Sequence, residues 1–309
     1  MTRHTFTARS ATDLIAMAPL VLGFHPDDSI VLLSFAGKRP FQARIDLPLT
    51  AQEREMAISC LIRPVRMHQI SQVAVLLFTD DTAAAQAVAQ ELLPELLAAG
   101  SSVVDVLRVD DDAYDWPLEP DLEPVPYDIS NHEFAAEAVL LGQRTLGSRQ
   151  ELADQLIAGT QEEIDEVREA VAACVDDASG AEWLRHCLVQ HMTRRRRLPA
   201  EDIGRILGAI TDTGLRDVAW AEITHATADD WQELWLDVVR RCPEELLAPP
   251  AALLAFSAWL GGCGAMAWCA VDRCLDADPD YSLGHLLRDL LEAAVPPSTW
   301  QSPDRLRAS

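Results

Sequence analysis

The stretch QVAVLLFTDDTAAAQAVAQELLPELLAAGSSVVDVLRV, residues 72–109, decides the fold. It opens on a β-rich apolar run (72–80), continues as an alanine-rich helical run (82–98), stops at Gly100 and resumes as a second apolar run (103–109). Upstream, SIVLLSF (29–35), a Gly-Lys-Arg turn and FQARIDL (41–47) read as a hairpin. A capped helix at 10–17 precedes it and a helix near 51–66 follows. The order ββαβαβ predicts a mixed sheet with helices packed on it, an α/β domain over residues 1–109.

Beyond Val109 the period changes. Residues 110–128, DDDAYDWPLEPDLEPVPYD, combine eight acidic residues with four prolines and show no periodicity, so an acidic Pro-rich linker or surface loop is expected. From 129 to 309 the pattern is helical throughout. Runs follow at about 133–142, 148–158, 160–177, 181–197, 199–211, 214–223, 228–241, 249–260, 264–277 and 281–293, and Ser148 with Glu151 and Thr160 with Glu163 have capping-box spacing. The fold class is therefore α/β plus all-α. Within the all-α domain, Ala267, Val271, Cys274, Leu275, Asp278 and Pro279 follow the second helix of a tetratricopeptide repeat, with Gly262 where such a repeat turns. One TPR-like unit near 248–281 is expected, and a single unit must pack on the helices before it.

Composition narrows the functions. The chain has 309 residues, 49% of them apolar, enough for two cores. Its net charge is −24, concentrated in residues 71–180, which hold 24 acidic and 4 basic groups. Such a field repels phosphate backbones, and the Arg194–Arg197 run sits where cations complement a helix C-terminus, so nucleic acid is not the expected partner. Seven cysteines without a CxxC pair read as buried, reduced thiols of a cytoplasmic protein. LIAMAPLVLGF (14–24) follows Asp13, is interrupted by Pro19 and lacks a cleavage site, so it is not read as a signal peptide. Residues 249–271 carry no charge over a bilayer-spanning length, but GGCG at the centre breaks them into a buried helical hairpin.

Three segments, LGFHPDDSIVLL (22–33), ARIDLP (43–48) and LLAFSAWLGGCGAMAWCAVDRCLDADPDYSLGHLLRDLLEAAVPPSTW (253–300), resemble the domain-of-unknown-function family 4192 of high-GC Gram-positive bacteria. The resemblance covers roughly 10–48 and 247–300. Between them the chain departs: family members carry a Trp-rich strand and a Cys-Cys-Pro segment after the third βα unit, where Trp116 and prolines remain here. The resemblance implies no activity, substrate or cofactor.

Candidate chemistry is sparse. His25, Asp27, Asp28 and Ser29 are neighbours on one extended stretch, and adjacent side chains point to different sides, so they cannot form a nucleophilic triad alone. Gly23 and Pro26 suit a turn there. If the segment is instead a contact site, the hairpin register carries His25 and Asp28 alongside Arg44 and Asp46, which share one strand face and make it polar. A second set, Asp80, Asp81 and Asp110, lies at the carboxyl ends of 72–80 and 103–109, where open α/β sheets bind ligands and carboxylates hold Mg²⁺. No glycine-rich phosphate loop accompanies it. Cys187 and His191, four apart on one helical face, offer two zinc-type ligands where four are usual, which favours core packing. Trp220, Trp231, Trp235, Trp259 and Trp268 are expected on inward helix faces.

These features point to a cytoplasmic, non-enzymatic interaction or regulatory protein whose TPR-like array binds another protein, without membrane, cofactor or metal. The alternative is a metal-assisted enzyme acting on a phosphate-containing small molecule through Asp80, Asp81 and Asp110, with Arg44 or Arg108 facing them.

Overall fold

The computed structural model describes residues 7–36, 41–140, 145–174, 180–194 and 196–300. They fall into two compact units, the described residues up to 149 with 292–296 and those of 150–291 with 297–300.

The first unit is built on one six-stranded mixed sheet. Strands β1 (Ser29–Ala36) and β2 (Gln42–Asp46) form the expected antiparallel hairpin, with Ser29 opposite Asp46 and Val31 opposite Arg44. Their Gly-Lys-Arg turn lies outside the described residues. Strands β3 (Gln72–Phe78) and β4 (Ser102–Val109) are parallel neighbours joined through helix α3 (Thr82–Ala98), and β3 also pairs antiparallel with β1. Two short strands, β5 (Ala113–Asp115) and β6 (Val125–Pro126), complete the order β2-β1-β3-β4-β5-β6.

Strands β1 and β3 read as continuous apolar runs because both their faces are covered. Ile30, Leu32, Val73, Val75 and Leu77 share one core with Leu61 and Val65 of helix α2 (Ala51–His68) and with Val88 and Leu92 of α3. The alternate residues Val31, Leu33, Ala74 and Leu76 are equally buried. Helix α1 (Ala11–Leu22) packs against α4 (Glu133–Leu140), and it is held at its start by a Ser10–Asp13 capping box and at its end by Gly23 at φ 83. Each such buried aliphatic side chain contributes about 1.5–3 kcal/mol relative to exposure.

Within residues 110–128, regular pairing appears where the composition suggested none. Aromatic side chains anchor it: Tyr114 packs edge-on to Trp116 at 5.5 Å, Trp116 Nε1 donates to Asp105 at 3.0 Å, and Tyr127 Oη donates to the Asp110 carbonyl at 2.8 Å. The 292–296 segment also belongs to this unit. The Ala293 carbonyl lies 3.0 Å from His68 Nε2, and Ala294 packs on the β1–β3 core.

The second unit is helical: the short α5 (Arg149–Asp154), then α6 (Gln161–Ala173), α7 (Ala181–Arg194), α8 (Ala200–Ile210), α9 (Thr213–Ala221), α10 (Ala228–Arg241), α11 (Ala248–Gly261), α12 (Gly264–Ala277) and α13 (Ser282–Glu292). The Thr160–Glu163 capping box opens α6 as its spacing requires. Packing is by neighbours: α6 on α8, α7 on α9, α10 on α11 and α11 on α12. A Cβ at Gly204 would lie 2.7 Å from Ala170, so α8 meets α6 at backbone distance.

Helix α11 is uncharged because its residues from Ala251 to Leu260 are all buried. Gly262 turns the chain at φ 89 into α12, so residues 249–271 are a helical hairpin. Among the described residues no helix is long and apolar enough to cross a membrane. Trp231, Trp235 and Trp259 are buried as expected, whereas Trp220 and Trp268 are partly exposed. All seven cysteines are free; Cys187, Cys242, Cys269 and Cys274 are buried, but Cys60 is exposed because it lies off the apolar stripe of α2.

Candidate functional site

Both residue sets suggested by the sequence lie at one end of the sheet. Strand β1 runs antiparallel to β3, so Ser29 starts where Phe78 ends, and Val109 of β4 ends beside Phe78. Asp28, Thr79 and Asp110 therefore follow one another across the sheet end.

Thr79 joins the two sets. Its Oγ1 donates to Asp28 Oδ1 at 2.9 Å and accepts from the Asp81 amide at 3.1 Å, while its carbonyl accepts from Arg108 Nη1 at 3.2 Å. Asp28 has a left-handed backbone at φ 36, a conformation Asp tolerates better than most residues. Its amide donates to Asp27 Oδ1 at 3.0 Å, and its carbonyl accepts from Leu47 at 2.7 Å. Neighbouring His25 is exposed, and its main chain pairs with Leu146, whose amide returns to Gly23.

Arg44 reaches this turn from β2. Its Nε donates to Ser29 Oγ at 2.8 Å, its Nη2 to the Asp27 carbonyl at 3.3 Å, and its Nη1 pairs with Asp46. The guanidinium also lies 5.9 Å from the centroid of the Phe24 ring. Arg44 and Asp46 do share a face, as their spacing requires.

The acidic set is divided among structural tasks. Asp81 is the N-cap of α3, accepting from the Ala84 amide at 2.9 Å, and Asp80 is exposed. Asp110 accepts from the amides of Asp112 at 3.1 Å and Ala113 at 2.8 Å and pairs with Arg108 at 3.1 Å. Burial opposes its ionisation, but those amides and the guanidinium outweigh it and hold the carboxyl below the usual range. Arg108, only 7% exposed, commits Nε and Nη2 to Asp115 and Nη1 to Thr79 and Asp110. Its hydrogen bonds to Asp115 raise its pKa further. A guanidinium so engaged has few donors left for a phosphate.

Among the described residues the three potential ligands that do converge lie in the second unit. Cys187 Sγ, the His191 imidazole and the Asp202 carboxylate have ligand atoms all within 4.8 Å of one another, and His191 Nε2 is 3.0 Å from Asp202 Oδ2. Burial pushes the Cys187 thiol up to about 11. The i, i+4 pair on α7 was visible in the sequence. Asp202 was not, because an acid in the first turn of a helix already has a reason to be there. Thr79 and Asp115 escaped notice likewise: a lone Thr after a strand and one Asp among many carry no spacing signal.

No curated protein matches the chain, and no solved structure matches it. The sequence pattern described as Domain of unknown function (DUF4192) matches residues 12–298, including the middle that the two ends alone had left unassigned. The chain therefore belongs to the DUF4192 family.

Proposed function

We propose that the protein is a cytoplasmic, non-enzymatic interaction protein whose helical unit receives a basic peptide segment of another protein. The observation that carries this reading is a groove of about 670 Å³ along α7, lined by Glu182, Arg185, His186, Val189 and Thr193, with Glu222 beyond the end of α9. The α7 positions recur every three or four residues and so form one stripe of the helix. Val189, at the middle, is 41% exposed, an apolar anchor point on an otherwise polar stripe. Arg185 donates to Glu222 at 2.6 Å, which leaves Glu182 as the groove's uncompensated formal charge. With −24 over the whole chain, the field steers a basic partner towards it.

Two further features support the reading. The α11–α12 hairpin turns at Gly262, buries Ala267, Val271 and Cys274, and meets α13 closely enough that a Cβ on Gly284 would lie 2.8 Å from Leu275, a close helix pairing that supports the TPR-like reading of the spacing. Helical arrays of that kind present grooves to peptides. At the sheet end, Asp81, Asp110 and Arg108 are committed to a cap, a turn and an ion-pair network, which weighs against the metal-assisted alternative.

Selection of a displayed random-peptide library on the purified full chain tests this. Enriched peptides should be net basic with one apolar residue, compete with one another, weaken with added salt and lose at least about tenfold in affinity, or 1.4 kcal/mol, to Val189→Lys, which removes the apolar anchor and repels the peptide. Enrichment of acidic peptides, or binding indifferent to Val189→Lys, would overturn the proposal, as would no enrichment.

A further inference from the structure

We infer that Cys187, His191 and Asp202 form a binding site for a divalent transition ion of the zinc class, pinning α7 to α8. The inference does not depend on the groove reading, since Cys187 and His191 are not among the residues lining that groove.

Three kinds of donor meet here from two helices. Cys187 and His191 are one helical turn apart on α7, and Asp202 stands in the first turn of α8. Tetrahedral Zn²⁺ with sulfur at about 2.3 Å and nitrogen or oxygen at about 2.0–2.2 Å sets its ligands roughly 3.3–3.6 Å apart. The ligand atoms, all within 4.8 Å of one another, reach that spacing by side-chain rotation, and the 3.0 Å contact of His191 Nε2 with Asp202 already orients the ring.

The His191 ring gives a second, independent sign. Its Nε2 faces Asp202, while Nδ1 is buried without a hydrogen-bond partner among the described residues. A simple His–Asp pair leaves that nitrogen unexplained in either charge state, because a neutral ring donating through Nε2 buries a bare lone pair and an imidazolium buries an unmet N–H. A cation on Nδ1, with Asp202 orienting the ring through Nε2, gives the imidazole the partner that packing withholds; a cation on Nε2 would leave Nδ1 unmet.

Burial is graded in the same sense. The Cys187 residue is 8% exposed, the His191 side chain 16% and the Asp202 side chain 30%, so the soft ligand lies inside and the carboxylate marks the solvent side, from which water completes the coordination. On binding, the S–H bond is replaced by a metal–sulfur bond and the proton leaves to solvent. Thiolate and carboxylate then cancel the ion's two positive charges. The neighbouring cation, Arg205, is held over the Trp183 ring 3.9 Å from its centroid. A thiolate, an imidazole and a carboxylate together favour zinc-like ions over Mg²⁺ or Ca²⁺, which take oxygen ligands.

The test is Co²⁺ titration of the full chain after chelator treatment under reducing conditions. The expected result is about one equivalent bound with a sulfur-to-cobalt charge-transfer band, displaced by Zn²⁺, and absent in Cys187→Ser. Asp202→Asn should retain the band with affinity lowered about 10–100-fold, the scale seen when a metal site loses a supporting carboxylate. No sulfur band in the folded wild-type chain, or the same band in Cys187→Ser, would overturn the inference. Should Cys187→Ser not fold, Asp202→Asn decides: unchanged Co²⁺ affinity overturns the site, and weakened affinity with the sulfur band retained supports it.

Discussion

Thr79 shows how one small side chain sets a local geometry. Buried at the end of β3, it ties the Asp27–Ser29 turn to the first turn of α3 through one hydroxyl, donating to Asp28 and accepting from the Asp81 amide. Thr79→Val keeps the shape and removes both bonds, so it should cost about 2 kcal/mol, the scale of leaving partly buried polar groups unpaired. Asp28→Asn keeps an acceptor and the tolerance of positive φ, and should cost less than about 1 kcal/mol. Urea unfolding of the two variants checks this; a Thr79→Val stability within about 0.5 kcal/mol of wild type would show that the hydroxyl is not needed. At this scale the sequence is a poor guide. His25, Asp28, Arg44 and Asp46 stood out by charge and clustering, and the last three do meet in one hydrogen-bonded neighbourhood around Asp27 and Ser29. The residue connecting them to Asp81 and Arg108 is an unremarked Thr, visible only once β1 and β3 are paired.

At the scale of elements, legibility follows the strength of local signals. The starts of α1 and α6 and the turn of the α11–α12 hairpin were readable because caps and left-handed glycines are local features, whereas α1 runs on through Pro19 to Leu22, past the expected stop at 17. β5 and β6 were not, because eight acids and four prolines conceal the three aromatic anchors Tyr114, Trp116 and Tyr127. Asp105 records the cost of that docking. Burial pushes its carboxyl above the usual range, against the opposing hydrogen bonds from Trp116 and the Val106 amide. A raised folded pKa means that the group's favourable contribution is present below the ordinary value near 4 and is lost as pH rises through the folded one. Asp105→Asn keeps an acceptor for Trp116 without the charge, so it should raise stability at pH 7 and make no difference below about pH 4. Chemical denaturation at the two pH values measures this. A variant no more stable than wild type at pH 7, or one with the same difference at both, would show that desolvation of Asp105 is not what shapes this edge.

At the scale of the whole molecule, the change from period-two runs to helical runs foretold an α/β unit and a helical unit, because periodicity sums over many residues. The return of residues 292–296 to the sheet unit could not be foreseen: Ala293 meets His68 across 225 positions, and no local pattern encodes such a pairing. Charge is the other property that belongs to the entire chain. Arg54, Arg66, Arg168, Arg185, Arg197 and Arg273 are each paired with a carboxylate on the surface, yet the net charge remains −24. Exposed pairs of this kind contribute about 0–1 kcal/mol each and weaken as salt screens them, whereas the uncompensated acids repel one another over a Debye length of about 10 Å at 0.1 M salt. The two effects have opposite signs, and the excess of acids decides between them. Raising NaCl from low concentration towards about 1 M, where the Debye length falls to about 3 Å, should therefore raise Tm at neutral pH. Near pH 4.5, the isoelectric point of the sequence, the net repulsion vanishes and only the screening of pairs remains, so the same salt should leave Tm unchanged or lower it. Thermal melts across salt at the two pH values decide the matter. A Tm that falls with NaCl at neutral pH would mean that the paired arginines outweigh the acidic excess, and that the field invoked to steer a basic partner is already neutralised locally by those pairs.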